Sequence, residues 1–354
     1  MDQPYDTGTQ MGIRSETGLP ARPVPEEVLA AVTVYVPHLR GYFTNRMAVL
    51  RLCLDSLLRH KPAGTQVLVF DNGSCPEVEA FLAGLLSQSR IDYLLRSRVN
   101  IGVVGALRMI FQLGIRPVIA YGDDDVFYYP GWLEPQLDLL AGFPEAGMVS
   151  GIPTLDGARH GVDSTLRLAK SDAGITLEGE SHPPEAWEAE WASSTGRNVE
   201  EHLQTVRASV LPRLRRHGRQ AFIGAVHFQF VAWASRLAAC LPAAWPTSLM
   251  AGMRELDEAV DRVGLMRLST VDRHVVHMGN EVHANLRQEA SRLGLEVAPA
   301  VSPPRSSLLS RLRARSRRLH GWAWVAYRKV GLLLDGQEAQ PEPEAAGARA
   351  GGQE

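Results

Sequence analysis

"PVIAYGDDD", residues 117–125, is the stretch on which the fold turns. A short apolar run of this kind reads as a buried strand, and it ends in three consecutive carboxylates, Asp123, Asp124 and Asp125. Like charges side by side repel, so something must compensate them. The two readings are a solvated turn and a cation site at the tip of a buried strand. Neighbours on a strand point to opposite sides, so Asp124 by itself reads as structural or solvated.

Working back toward the N-terminus, "GVVGALRMIFQLG" (102–114) predicts a helix and "IDYLLRS" (91–97) a strand. "PEVEAFLAGLLSQS" (76–89) is a predicted helix, with Pro near its start and acids in its first turn to suit the helix dipole. "TQVLVFDNGS" (65–74) is an apolar strand closed by turn residues. In "NRMAVLRLCLDSLLRH" (45–60), Val49, Leu50, Cys53, Leu54, Leu57 and Leu58 keep helical spacing. "AAVTVYVP" (30–37) is the first strand, stopped by Pro37. Such alternation predicts an α/β fold, a doubly wound, mainly parallel sheet flanked by helices on both faces. In such sheets ligands bind beyond the carboxyl ends of the strands. Three strand ends carry polar residues suited to that edge: Pro37-His38, Asp71-Asn72-Gly73-Ser74, and the three aspartates.

Beyond residue 125 the pattern loosens. A strand is expected at 147–154, a polar and mostly helical segment at 155–220, and a β-rich run at 222–233. A helix followed by a strand is expected over 254–270, with 274–280 closing the fold.

The 354 residues, 45% hydrophobic and 21% charged, are those of an ordinary globular protein. A net charge of −2 gives no electrostatic case for nucleic acid. Cys53, Cys75 and Cys240 are scattered and form no ligand pattern, so a reduced cytoplasmic protein is expected. The first residues lack the basic start and apolar run of a signal peptide, and no stretch of about 20 apolar residues spans a bilayer.

Oxygen ligands suit Mg2+ or Mn2+. Two carboxylates at one strand end, with phosphates and waters, complete such a shell and neutralise a leaving diphosphate. Asp-x-Asp alone is weak evidence; after "PVIAY" in an alternating series it is stronger.

The ordered set "VTVYVP", "VLVFDNGS", "NIGVVGALR" and "YGDDD" resembles the family 2 glycosyltransferases of the GT-A fold over roughly residues 30–280. That resemblance implies a metal-dependent transfer of sugar from a nucleoside-diphosphate sugar, UDP-sugar ahead of GDP-sugar, to an acceptor hydroxyl with inversion. It implies a donor site of Pro37, Asp71, Asn100, Gly102, Asp123 and Asp124. The metal, Mn2+ or Mg2+, falls to Asp125 ahead of Asp123, with His277 as a late ligand. In the family an acid on a later helix is the acceptor's base, and "RELDEAVDRVG" supplies Asp257, then Glu255, then Glu258. Its spacing departs from the family's Glu-Asp pattern, as does Arg108, where the family often has Asn. Each assignment has a bland rival. Asp71–Ser74 could be only a turn, the three acids a solvated helix face, His274 a decoy for His277. His227, between Val226 and Phe228, reads as a core histidine ahead of an acceptor contact.

The expected organisation is a flexible lead-in (1–28), a nucleotide-sugar half (29–154), an acceptor half of the same domain (155–285), a basic aromatic helical tail (300–334) and a disorder-like end (335–354). From Arg305 to Lys329 there are seven Arg, one Lys and no acid, with Trp322, Trp324 and Tyr327 interspersed. That composition suits attachment at an anionic membrane surface, with a solvated helix or RNA binding as the other readings. A peripheral place on the cytoplasmic face would fit a lipid-linked acceptor in envelope polysaccharide, glycolipid or glycoprotein synthesis. Two rivals remain for the whole chain: a scaffold that keeps the fold without turnover, and a sugar-phosphate nucleotidyltransferase. The second needs a Gly-rich basic loop after the first strand, and "PHLRGYFTNR" is a poor match.

Overall fold

The first half of the chain alternates strand and helix as its sequence pattern requires. The computed structural model describes residues 21–178, 182–245 and 252–299. Here β1 (Val28–Val34), α1 (Arg46–His60), β2 (Gln66–Asn72), α2 (Pro76–Ser87), β3 (Tyr93–Ser97), α3 (Gly102–Gln112) and β4 (Val118–Asp123) follow one another. Every residue of β1 is buried. Because strand side chains alternate, Val28, Ala30, Val32 and Val34 join one apolar cluster with α1 and α2, and Leu29 and Ala31 join another with α3. A strand covered on both faces reads as a continuous apolar run.

The second half comprises β5 (Val126–Tyr128), α4 (Glu134–Gly142), β6 (Ala146–Ser150), α5 (Asp163–Ser171), β7 (Ile175–Glu178), α6 (Glu185–Ser194), α7 (Val199–Arg207) and β8 (Arg213–Arg216). It continues with β9 (Arg219–Ile223), β10 (Gln229–Trp233), α8 (Ala234–Cys240), α9 (Met253–Arg262), β11 (Met266–Ser269), β12 (Val275–His277) and α10 (Ala284–Arg292). One sheet has the order β3-β2-β1-β4-β10-β6-β11-β9-β8-β7. Strands β3, β2, β1 and β4 are mutually parallel, as are β6 and β11. β10 runs antiparallel between β4 and β6, and β9, β8 and β7 extend the far side as antiparallel hairpins. β5 and β12 form a separate two-stranded ribbon pairing Val126 with His277.

Several expectations are corrected. The segment 155–220 is not mostly helical: β7 and β8 interrupt it, because hairpin strands at a sheet edge carry polar residues such as Arg213, Arg215 and Arg216. The run 222–233 is two strands that are not neighbours in the sheet, separated at Gly224. α4 was not anticipated, and α10, not 274–280, is the last element among the described residues. The expected tail at 300–334 and end at 335–354 lie outside the described residues, as do residues 1–20 of the lead-in. No helix among the described residues is long and apolar enough to cross a membrane.

Two features place the site. The antiparallel register sets Gln229 opposite Gly122, so the residues just before β10 lie beside the carboxyl end of β4. The loop at 155–161 is held over α9 by a buried pair, Glu188 and His202 (2.7 Å), with the Leu155 amide donating to Glu188 Oε1 (2.7 Å).

Candidate active site

At the end of β2, Asp71 is fully buried and its Oδ1 accepts from the Ser74 amide (2.9 Å). Its Oδ2 has no hydrogen-bond partner, and Arg96 Nε lies 3.5 Å away. Gly73 makes this turn possible: its φ is +87°, and a Cβ there would come within 2.9 Å of the Val99 backbone. Asn100 and Gly102 form a clasp with Asn72. The Asn72 Nδ2 donates to Asn100 Oδ1 (3.0 Å), the Ile101 amide donates to Asn72 Oδ1 (2.9 Å), and the Gly102 amide donates to Asn100 Oδ1 (2.8 Å). Pro37 is half-buried on the neighbouring loop after β1.

The three aspartates are compensated by a residue that the sequence reading passed over. Arg46 is the first residue of α1, buried, with one guanidinium nitrogen on Asp124 Oδ1 and another donating to Asp125 Oδ2 (2.8 Å) and to the Gly279 carbonyl (2.9 Å). A cation at a helix N-terminus opposes the dipole, so its placement needs these acids. Burial works against the Arg46 charge, but Asp124 and then Asp125 hold it well above the ordinary arginine value. The only signal in the sequence was an arginine opening a helix otherwise built to pack on a sheet.

One arginine cannot neutralise three carboxylates. Asp124 is turned into the protein, taking Arg46 on one oxygen and the Tyr35 amide (3.3 Å) on the other; burial still raises it. It lies in the turn between β4 and β5, one residue past the strand. Asp123 accepts from the Tyr121 hydroxyl (2.7 Å); burial and then the Asp125 charge push it well above the usual carboxylate range. Asp125 goes the other way. Burial would raise it, but His277 and Arg46 outweigh burial and hold it below that range. Its Oδ1 is buried with no hydrogen-bond partner. His277 Nε2 stands 3.5 Å from Asp125 Oδ2, and its Nδ1 meets Ser194 Oγ at 2.8 Å. Burial first, then the nearby Arg46 and His227, lower His277 against the pull of Asp125. His274 stands aside on the same strand edge.

These groups bear on a cation. Among the described residues no three His, Cys, Asp or Glu side chains stand together as an all-protein metal cage. The unpartnered Asp125 Oδ1 beside His277 fits the sparser arrangement of one carboxylate and one imidazole completed by phosphate oxygens and water.

The candidate bases separate on α9. Met253, Leu256, Asp257 and Val260 form its buried stripe, whereas Glu255 is exposed and Glu258 pairs with Arg254 (2.7 Å) along the helix surface. Asp257 alone faces inward. Its Oδ1 is 2.9 Å from Nη2 of the buried Arg267, and its Oδ2 is 3.6 Å from His227 Nδ1. His227 is not a core histidine: its side chain is 35% exposed. Arg108 stacks on Trp245 and donates to the Leu241 and Pro242 carbonyls, which explains the departure there as packing against α8.

Residues 43–166 match the model of glycosyl transferase family 2. The matched segment includes Arg46, Asp71 and the three aspartates, and ends before Asp257, Arg267 and His277. No curated protein matches the chain. Among solved structures it is similar to a mannosyltransferase, PcManGT, from Pyrobaculum calidifontis, in complex with GDP-Man and Mn2+ (13% identity, 88% of this chain and 65% of that one, TM-score 0.40). It is similar also to GalNAc-T7 with UDP, GalNAc and Mn2+ (11%, 81% and 53%, TM-score 0.44) and to residues 1–349 of S. aureus TarS (8%, 70% and 59%, TM-score 0.41). The chain thus spans between 53% and 65% of the length of these structures.

Proposed function

We propose that the protein transfers a sugar from a nucleoside-diphosphate sugar, UDP-sugar ahead of GDP-sugar, to an acceptor hydroxyl with inversion at the anomeric carbon. The observation that carries this reading is the surplus of buried negative charge at the carboxyl end of β4, inside the family 2 segment. Arg46 compensates only part of it, and Asp125 Oδ1 has no hydrogen-bond partner. A dead scaffold has no reason to keep repelling acids together, and His277, 3.5 Å from Asp125, adds a second candidate ligand at the same point.

In this reading Asp71 Oδ2, buried without a hydrogen-bond partner at the carboxyl end of β2, contacts the nucleoside. Asp125 and His277, with Asp123 in support, hold Mn2+ or Mg2+. Bound there, the cation supplies charge neutralisation to the departing diphosphate. The Asn72–Asn100–Gly102 clasp fixes the loop that faces the donor. Acceptance of the acceptor's proton belongs to the Asp257 side of the site, across β10 from the aspartates. We assign the biological role to envelope polysaccharide, glycolipid or glycoprotein synthesis, with residues 305–334 holding the enzyme at an anionic membrane surface. The tail's composition supports that last point; equal recovery of full-length and tail-deleted protein with anionic vesicles would refute it.

Calorimetric titration of UDP and GDP, each with and without Mn2+, tests the central claim on the unaltered protein and on Asp125→Ala. Binding that needs both the metal and Asp125 is the expected result. Binding of neither nucleotide under any condition returns the scaffold reading.

A further inference from the structure

The resemblance assigns the acceptor's base to an acid on α9, yet the one acid that α9 turns inward is badly placed to receive a proton. Asp257 is 5% exposed, and its Oδ1, buried and 2.9 Å from Arg267 Nη2, is closed to an incoming hydroxyl. What does have solvent access is the imidazole on its other oxygen. We propose that His227 is the group that takes the acceptor's proton, and that Asp257 is the residue that positions it. This deepens the reading above and rests on it.

Three observations support the assignment. The first is orientation. His227 presents Nδ1 to Asp257 Oδ2 at 3.6 Å. A carboxylate facing Nδ1 favours the tautomer with its proton there, which leaves the Nε2 lone pair free on the side away from Asp257. The same carboxylate stabilises the imidazolium once Nε2 has gained a proton, the role of the acid in an Asp–His pair.

The second is location. Phe228, the next residue, accepts the Asp123 amide on its carbonyl (2.8 Å) and packs its ring 5.1 Å from the His277 ring. His227 therefore sits one residue from a backbone bond to the aspartate triplet. Glu255 is exposed on α9, and Glu258 is engaged by Arg254.

The third is rigidity. The segment that carries His227 is tied to β11 by the Gly224 amide donating to the Arg267 carbonyl (2.7 Å). Gly224 has φ +86°, and a Cβ there would come within 2.5 Å of the Gly157 carbonyl. The Arg267 guanidinium that pairs with Asp257 also donates to the Ala225 carbonyl, so one buried cation holds both members of the pair.

The step balances without any further reactant. The acceptor oxygen forms its bond to the anomeric carbon. The bond from that carbon to the diphosphate oxygen breaks, and its electron pair leaves with the nucleoside diphosphate. The hydroxyl proton passes to His227 Nε2.

The test measures nucleoside-diphosphate release from UDP-glucose, UDP-galactose, UDP-N-acetylglucosamine and GDP-mannose with Mn2+, water serving as the acceptor. It runs beside titration of UDP and GDP on the same proteins and ¹⁵N shifts of the His227 ring. His227→Gln is expected to lower release about 100-fold or more while nucleotide binding is unchanged. Asp257→Asn is expected to lower release less and to move the ring proton off Nδ1, a change that a merely structural role for Asp257 would not demand. Release retained in His227→Gln, or the largest loss in Glu255→Gln, overturns the assignment. Where none of the four donors is hydrolysed, the ring shifts decide it: a proton on Nε2 in the unaltered protein overturns the proposal. Failure of the unaltered protein to bind either nucleotide overturns the functional reading itself, and the titration shows that separately.

Discussion

Arg46 and Arg267 are both buried, and each faces aspartate, yet their surroundings differ in sign of surplus. Around Arg46 there are three acids and one cation, and Asp124 and Asp125 hold its charge firmly against burial. Around Arg267 burial dominates and lowers it, with Asp257 and then Asp261 only partly opposing. The first neighbourhood has negative charge left over for a ligand cation. The second has none, and its arginine turns to carbonyls, those of His160, Gly161 and Ala225. The lesson is that a buried arginine can mark either an incomplete site or a finished brace, and whether its acids outweigh burial tells which.

The largest effect should come from breaking the first neighbourhood. Arg46→Met leaves Asp124 and Asp125 buried without their counter-charge and should lower the unfolding free energy by about 3–5 kcal/mol, read by urea denaturation. Arg267→Met should cost less, about 1–3 kcal/mol, since the main loss is partners for carbonyls and one carboxylate. Adding Asp257→Asn should restore part of that loss, whereas Asp124→Asn should not rescue Arg46→Met, because Asp125 remains. Equal costs for the two arginine variants would erase the distinction.

Acid titration sharpens it further. Asp125 is held below its ordinary value, so its contribution is present above about pH 4 and lost as pH falls through the lowered folded value. The stability advantage of the unaltered protein over Asp125→Asn should therefore shrink below about pH 4. Asp123 carries the opposite sign. Its raised value costs stability as pH climbs above about 4, so Asp123→Asn should gain on the unaltered protein toward neutral pH when no divalent cation is added. Denaturation midpoints across pH measure both. The smallest effect belongs to His227→Gln, whose side chain is 35% exposed: about 0.5 kcal/mol or less in stability, whatever it does to release.

Much of the first half was legible because its signals are local. Continuous apolar runs fixed β1, β2 and β4, helical spacing fixed α1, and Pro and acids marked the start of α2. The second half was less legible because its strands are short, polar at the sheet edge and out of order in the sheet; β9 and β10 look like one run and are separated by β6 and β11. α4 hid behind the aromatic residues that follow the triplet.

The same division runs through the candidate site. The sequence by itself determined that Asp71 and Asp123–Asp125 stand at one edge of the sheet, on the two strands that flank β1, since parallel strands joined by helices bring their carboxyl ends to one edge. It also offered an acid on α9 and a histidine at 277. Only the tertiary structure decided that Arg46 enters the triplet from 78 and 79 residues away, at Asp124 and Asp125. It alone turned Asp257 inward while leaving Glu255 exposed and Glu258 paired with Arg254, and set His227 against Asp257. Partners in a charge cluster are selected by distance and burial, and neither is written in the spacing of residues along a chain.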